Sequence, residues 1–222
     1  MNGGVGKRLA AGFPKQFIRL NGIPILAYTL ATLNAISEVT EIVINYPEGE
    51  EATVKKIVAD YGVSKPVKYV SPGVTRHQSV QKLIDAASNE NILLHEAARP
   101  FAGKEEFRAL INNPAANVTL VSEIPFTVAP IDIEKNTVTG YLDRAKLRNV
   151  QLPQKFALAD LKRAHEFSKG QNIETTEDAT LCALAGIEVK LQPGSDKNFK
   201  ITTPVDLELA NTFIRQERGL DV

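Results

Sequence analysis

A chain of 222 residues, 43% of them hydrophobic, is long enough for one substantial domain of the size class that buries roughly 70% of its unfolded surface. Lys and Arg together number 26, as do Asp and Glu, so no overall field draws nucleic acid or an acidic membrane and any anion binding has to be local. The absence of a long apolar run or a signal-peptide core predicts a soluble, cytoplasmic protein, and a lone Cys182 excludes an intrachain disulfide.

In chain order, Gly22-Ile23-Pro24 leads into a helical run through Ile25, Leu26, Tyr28, Leu30, Leu33 and Ile36, with Pro24 expected in the first turn. Glu41 to Asn45 is a short β-branched run suited to a buried parallel strand, and Glu50 to Tyr61 is an amphipathic helix. Val67 to Val70 reads as the next strand. Its turn, Ser71-Pro72-Gly73, opens onto a helix headed by Arg76 and Ser79. Asn91 to His95 is a strand that delivers Glu96 and Arg99 to its carboxyl end, and Val118 to Val121 is another. Strands alternating with helices predict an α/β fold, a mostly parallel, Rossmann-like three-layer sheet with a ligand crevice at the strand carboxyl ends.

The character changes between Pro125 and Arg148, where Ile131 to Glu134 and Thr137 to Tyr141 alternate around Lys135-Asn136 as in an exposed, protruding β-hairpin arm. Leu158 to Phe167 and Thr176 to Ala185 read as helices, Ile187 to Leu191 as a strand, and Thr203 as the cap of a last helix begun by Pro204. Glu177 and Asp178 read as acids at a capped helix start rather than as metal ligands. Cys182 lies in an apolar helical run and reads as core packing. His77, His95 and His165 lack metal-ligand spacing. Neither an internal repeat nor a linker is evident, so residues 1–222 are expected to form one domain.

The most telling stretch is Gly3-Gly4-Val5-Gly6-Lys7-Arg8, closed by Phe13-Pro14-Lys15-Gln16-Phe17. Three glycines within four residues let backbone N–H groups converge on an anion, and Lys7, Arg8 and Lys15 add positive charge. Two standard glycine loops are excluded. A P-loop requires Ser or Thr where Arg8 stands, and a dinucleotide fingerprint requires Gly or Ala where Leu9 stands. What remains is a polyphosphate cradle or a basic, Gly-rich terminus. A phosphate loop of this kind normally follows a buried parallel strand, yet only Met1-Asn2 precede Gly3; the expectation is a start set too late or a truncated chain, with the first strand missing.

The string Gly-Gly-x-Gly-x-Arg, then Pro-Lys-Gln-Phe, resembles the nucleotide loop of the cytidylyltransferases that act on 2-C-methyl-D-erythritol 4-phosphate and of their relatives acting on ribitol 5-phosphate. Further stretches resemble that family's motifs in the same order: Arg76 to Val80, His95 to Phe101, Asp143-Arg144, Pro153-Gln154, Thr176 to Ala179 and Asn198 to Thr202. The resemblance covers nearly the full length. It implies that CTP and a polyol or sugar phosphate are joined with release of pyrophosphate, a step of isoprenoid biosynthesis for the methylerythritol enzymes. It also implies a homodimer paired through an arm at 125–150.

On that resemblance Gly3, Gly4 and Gly6 surround the triphosphate, Arg8 and Lys15 meet the leaving phosphates and the α-phosphate, and Lys200 lies near the reacting α-phosphate. Gly73 and Ser79 match positions around cytosine and ribose, with Arg76 beside them, and Arg144 matches the arginine that grips the acceptor phosphate. Glu96 stands where the family usually has Asp, close to the metal and substrate hydroxyls. The longer reach of Glu matters for octahedral Mg²⁺ with ligands at about 2.1 Å, so Mg²⁺ is expected to be held chiefly by the nucleotide phosphates. Two further departures fall on acceptor positions, where Val128-Ala129 and Leu152 replace polar residues. They leave open another polyol or sugar phosphate as acceptor. The other readings are a nucleotidyltransferase for another base, and a non-catalytic nucleotide-binding relic.

Overall fold

The computed structural model describes residues 14–217, and the first regular element among them is a 3-10 turn over Lys15–Phe17. The glycine loop with Gly3, Gly4, Gly6 and Arg8, and the strand expected ahead of it, lie outside these residues. Asn21 and Gly22 take up φ of 46° and 80°, the left-handed values that a tight hairpin turn needs, and join β1 (Arg19–Leu20) to β2 (Ile23–Pro24). Pro24 is still extended, with ψ at 139°, so it precedes α1 (Ile25–Asn34) rather than occupying its first turn.

Three further strand and helix alternations follow: β3 (Ile42–Asn45), α2 (Glu51–Asp60), β4 (Val67–Val70), α3 (Arg76–Ala86), β5 (Asn91–Leu94) and α4 (Lys104–Asn112). The α4 helix, which was not among the expected elements, is held at its start by Gly103 N–H donating to Glu106 Oε2 at 3.0 Å. Then come β6 (Val118–Ser122), the exposed hairpin of β7 (Ile131–Asp132) and β8 (Thr137–Val138), β9 (Asn149–Ala157), α5 (Leu158–Gln171), α6 (Asp178–Leu184), β10 (Lys190–Pro193) and α7 (Pro204–Glu217). Thr203 caps α7 as expected, its hydroxyl accepting from Asp206 N–H at 3.2 Å while Asp206 Oδ2 accepts from Thr203 N–H at 2.8 Å.

The strands pair in the order β10-β6-β9-β5, with β3 and β4 as a separate parallel pair. The expected sheet was mostly parallel. In the structure β10 is parallel to β6, but β9 runs against both β6 and β5 and makes the four-stranded sheet mixed. The reason lies in the arm: β6 and β9 flank residues 123–148, and a chain that leaves and returns along the same edge comes back reversed. Pro153 sits within β9, and the register against β6 shifts there, Leu120 facing Gln151 while Thr119 faces Gln154, so Leu152 and Pro153 fall in a bulge that needs no N–H from the proline.

Helices cover both faces. Leu152 and Phe156 pack on Leu161 of α5, Leu181 and Cys182 of α6, and Val80 and Ile84 of α3. On the other face Leu110 of α4 meets Val118 and Leu120, and Lys155 donates to Asn113 O at 2.5 Å. Helices α1 and α2 cover β3 through Leu26, Leu30, Val54 and Ile57. Among the described residues β3 and β5 are each paired along one edge only, and a cavity of about 750 Å³ lined by Leu30, Ile42, Ile44, Ile84, Ile92 and Leu94 lies between them. No helix of the described residues is long and apolar enough to cross a membrane.

Candidate active site

Gly73 is placed so that only glycine fits. A Cβ there would stand 2.5 Å from Gln78 Cβ and 2.6 Å from Ser79 N, because the loop lies directly on the head of α3. Its N–H donates to Ser79 Oγ at 3.0 Å, and the Ser79 hydroxyl donates to Thr75 O at 3.0 Å. Thr75 Oγ1 caps the helix by accepting from Gln78 N–H at 3.2 Å. Gly73, Arg76 and Ser79 therefore converge at a helix N-terminus, whose dipole favours an anion. Ser79 acts here by closing the loop, since both its donor and an acceptor lone pair are used within it.

Arg76 faces two acids. Its Nη2 donates to Asp178 Oδ2 at 2.7 Å, and its Nε stands 3.9 Å from Glu96 Oε1. Glu96 leaves the carboxyl end of β5 and is 12% exposed; Lys200, beyond β10, donates to its Oε1 at 2.9 Å and lies 2.9 Å from Oε2. Arg99 Nε is 3.6 Å from Glu96 Oε2, while its Nη1 donates to Asn198 O at 2.7 Å. The two segments are tied by Ile201 N–H donating to Ala98 O at 2.9 Å, and Asn198 Nδ2 donates to Leu152 O at 2.7 Å. Burial pushes the Glu96 carboxyl up, but Lys200, by charge and hydrogen bond, with Arg99 and Arg76 behind it, holds it at about 2. Two anions, Glu96 and Asp178, among three cations leave these five side chains net positive at the strand ends.

Asp178 is 1% exposed and also accepts from His165 Nε2 at 3.1 Å. Burial pushes its carboxyl up; the His165 hydrogen bond and the Arg76 charge more than offset that and hold it below the usual carboxylate range. The helix start was expected at Thr176. Its cap is Glu177, which accepts from Ala179 and Thr180 N–H at 3.0 and 2.8 Å. His95 packs edge-on against Phe107, and burial pushes its imidazole down to about 3. Cys182 is buried in the core as expected, with its thiol pushed up to about 12 by burial and neighbouring acids.

Other expected residues stand on other elements. Lys15 stands in the 3-10 turn at the start of the described chain. Arg144 lies on the arm, in a short turn capped by Asp143, and donates from Nη1 to Pro125 O at 3.0 Å. Leu152 was read as replacing a polar acceptor contact, but its side chain is buried in the core beneath β9 and only its carbonyl reaches the site, through Asn198. Val128 is exposed on the arm.

A family model described as IspD: 2-C-methyl-D-erythritol 4-phosphate cytidylyltransferase matches residues 1–216. The chain belongs to this family. It is thus a CTP-dependent nucleotidyltransferase, as the ordered motifs imply, and not a binding relic. It is 36% identical over 215 residues to the 2-C-methyl-D-erythritol 4-phosphate cytidylyltransferase of Halalkalibacterium halodurans, covering 96% of this chain and 94% of that protein. A solved 4-diphosphocytidyl-2C-methyl-D-erythritol synthase from Anaerococcus prevotii superposes with a TM-score of 0.82 at 27% identity, over 90% of this chain and 93% of that one. The 2-C-methyl-D-erythritol 4-phosphate cytidylyltransferase of Thermus thermophilus superposes at 0.76 with 30% identity, over 94% and 96% of the two chains.

In a cytidylyltransferase the Glu96 cluster also bears on the divalent ion. Among the described residues no three His, Cys, Asp or Glu side chains group as a metal cage. Glu96 Oε2 is buried and accepts no hydrogen bond, but Lys200 at 2.9 Å and Arg99 at 3.6 Å pair with it by charge, so a divalent ion would share this oxygen with them. Three surrounding cations oppose a lone divalent ion there. The arrangement fits an ion that arrives with phosphate oxygens and takes one protein ligand.

Proposed function

We propose that this cytidylyltransferase joins CTP to 2-C-methyl-D-erythritol 4-phosphate, giving 4-diphosphocytidyl-2C-methyl-D-erythritol and pyrophosphate, a step of isoprenoid biosynthesis. The observation that carries the reading is the cluster of Lys200, Arg76 and Arg99 on one carboxylate at the strand carboxyl ends, beside the Gly73 loop. The acceptor is a phosphate monoester with a second pKa of about 6, largely ionised at neutral pH, and needs no general base. Catalysis then consists of bringing two polyanions together in line and stabilising charge on the α-phosphate and leaving group. A site of cations without a nucleophilic triad is built for that.

In this reading Gly3, Gly4 and Gly6 cradle the triphosphate, and Arg8, Lys15 and Lys200 meet the leaving and reacting phosphates. Gly73, Arg76 and Ser79 form the nucleotide edge. Backbone N–H and C=O groups there distinguish cytosine from uracil, whose donor and acceptor are reversed at the 3- and 4-positions. Glu96 would be the protein ligand to a Mg²⁺ ion that arrives with the phosphates, and the ion would supply Lewis-acid charge at the α-phosphate. Arg144 grips the acceptor phosphate, a bidentate task suited to a planar guanidinium. The arm at 125–150 pairs two copies into a homodimer of the cytoplasm. Equal acidic and basic counts give no overall field that would draw nucleic acid or an acidic membrane, and neither is expected as a partner.

The test is pyrophosphate release by the purified protein with Mg²⁺ and each of the four ribonucleoside triphosphates, against methylerythritol 4-phosphate, ribitol 5-phosphate and other polyol and sugar phosphates. Turnover confined to CTP and methylerythritol 4-phosphate supports the reading. Preference for another acceptor overturns its acceptor half, and turnover with another triphosphate overturns the cytidylyl half.

A further inference from the structure

The guanidinium of Arg76 is held unequally by its two acids, at 2.7 Å by Asp178 and at 3.9 Å by Glu96. Asp178 is the first residue of α6, and its other oxygen meets His165 of α5 at 3.1 Å, the two side chains being 1% and 0% exposed. The His165 ring stacks on His77, the residue next to Arg76 on α3, with centroids 4.2 Å apart and planes 28° from parallel. His77 Nε2 in turn lies 3.2 Å from Ser168 Oγ on α5, and the Ser168 hydroxyl donates to Ile173 O. With that hydroxyl proton committed, His77 Nε2–H is the donor to Ser168. Thr75 Oγ1, just ahead of α3, also donates to Glu174 Oε1 at 3.2 Å. The head of α3 is thus fastened to α5 and α6 by buried polar contacts, with Asp178 at their centre.

An anion buried so completely is costly unless both oxygens are satisfied. Here one oxygen is spent on a buried neutral-capable ring and the other on a cation that still reaches the site. Were Asp178 not to hold Nη2, the nearest anion for the freed guanidinium is Glu96, which already receives Lys200 and Arg99. Arg76 would then be drawn into the Glu96 cluster and away from the Gly73 loop.

We propose that Asp178 is a positioning residue for the nucleotide: backed by His165, it sets the guanidinium of Arg76 at the head of α3 and keeps it from closing onto Glu96. The inference rests on the reading of Gly73, Arg76 and Ser79 as the nucleotide edge. The experiment is titration of the full chain with CTP and Mg²⁺ by calorimetry, together with steady-state pyrophosphate release, for Arg76→Met, Asp178→Asn and the double variant. Each single change is expected to weaken CTP binding about tenfold, the effect of losing one charged hydrogen bond. The double variant is expected to bind no worse than the weaker single one, because the two side chains act as a unit. The acceptor KM stays within about twofold.

A purely structural role for Asp178 would instead spread to the acceptor KM and add to the loss from Arg76→Met, and either result overturns the proposal, as does Asp178→Asn binding CTP like the unaltered protein. Unaltered CTP binding by Arg76→Met overturns the nucleotide-edge reading itself, and the positioning role with it. His165→Gln keeps the Asp178–Arg76 pair but withdraws its backing; a loss of about threefold, again absent on top of Arg76→Met, is expected. That variant decides the matter if Asp178→Asn does not fold, and an additive or absent effect overturns the proposal.

Discussion

Lys200 Nζ lies 2.9 Å from both carboxylate oxygens of Glu96, so the lysine assigned to the reacting phosphate rests on an acid that Arg76 and Arg99 also approach. Glu96 is held at about 2, far below an ordinary glutamate near 4.3. A carboxyl depressed in the folded state adds stability that is fully present above its unfolded value and is lost as pH falls through the folded one. The stability difference between the unaltered protein and Glu96→Gln is therefore expected to be constant above about pH 5 and to shrink between roughly pH 4 and pH 2. Melting temperatures of both proteins across that range check it. A gap that persists at the acid end would mean that Glu96 titrates elsewhere.

Lys200→Gln removes the ammonium while leaving Arg76 and Arg99 on Glu96, so the fold should survive and the chemistry should not. A donor aimed at charge that develops in the transition state contributes about 10²- to 10³-fold in kcat. That loss, with the KM for CTP changed by much less, is the expected outcome in a pyrophosphate-release assay. A change confined to KM would make Lys200 a binding group only.

Gly73→Ala places a methyl 2.5 Å from Gln78 Cβ and 2.6 Å from the Ser79 nitrogen, and the second of these is backbone that cannot step aside. The loop must lift off α3, breaking the Gly73 to Ser79 hydrogen bond. The expected cost is about 1–3 kcal/mol of stability, the range for overpacked sites, read as a lowered Tm, with a raised KM for CTP. An unchanged KM alongside the lower Tm would detach the loop from the nucleotide.

These sites differ in how far the sequence discloses them. Strands β3 to β6 fall within a residue or so of expectation because each is a short run rich in β-branched or other apolar residues. Strand β9 gives no such signal: Gln154 is polar, and what makes it a strand residue is Thr119, whose Oγ1 accepts from Nε2 at 2.9 Å. Ile187 was expected to open the strand that follows α6, yet its N–H donates to Cys182 O at 2.9 Å and closes the helix instead, delaying β10 to Lys190. In the site, Glu96, Arg76 and Lys200 are legible by motif, whereas Asp178 looks like any acid in a first helical turn. Its burial, and so its hold on Arg76, exists only once α5 packs against α3.

Among the described residues β3 and β5 are each paired along one edge only, and the other edges face a cavity whose walls include Leu30, Ile42, Ile44, Ile84, Ile92 and Leu94. A β-branched segment of about five residues would span the four-residue edges on either side at roughly 3.3 Å per residue. Adding such a segment as a separate peptide is expected to raise Tm and to slow amide exchange at Ile42 to Asn45 and Asn91 to Leu94. Unchanged exchange in both strands would show that these edges take no further strand.

The arm sets out Phe126, Ile133 and Tyr141 at 78%, 83% and 78% exposure, with Ile131 and Val138 also exposed. Its hairpin has two residues in each strand, too few to be stable alone in water, and its apolar side chains gain nothing from this chain's own core. Cover by a second copy, as in the proposed homodimer, would remove both problems at once, because identical arms would present identical apolar faces related by a two-fold axis. Ile133→Asp together with Val138→Asp is expected to shift sedimentation from dimer to monomer while leaving the far-ultraviolet spectrum unchanged, since neither residue belongs to a buried cluster. Activity should fall with dimer content if Arg144 depends on the arm being held in place. A double variant that stays dimeric would move the interface elsewhere, and a monomeric variant with full turnover would free Arg144 from any dependence on the partner.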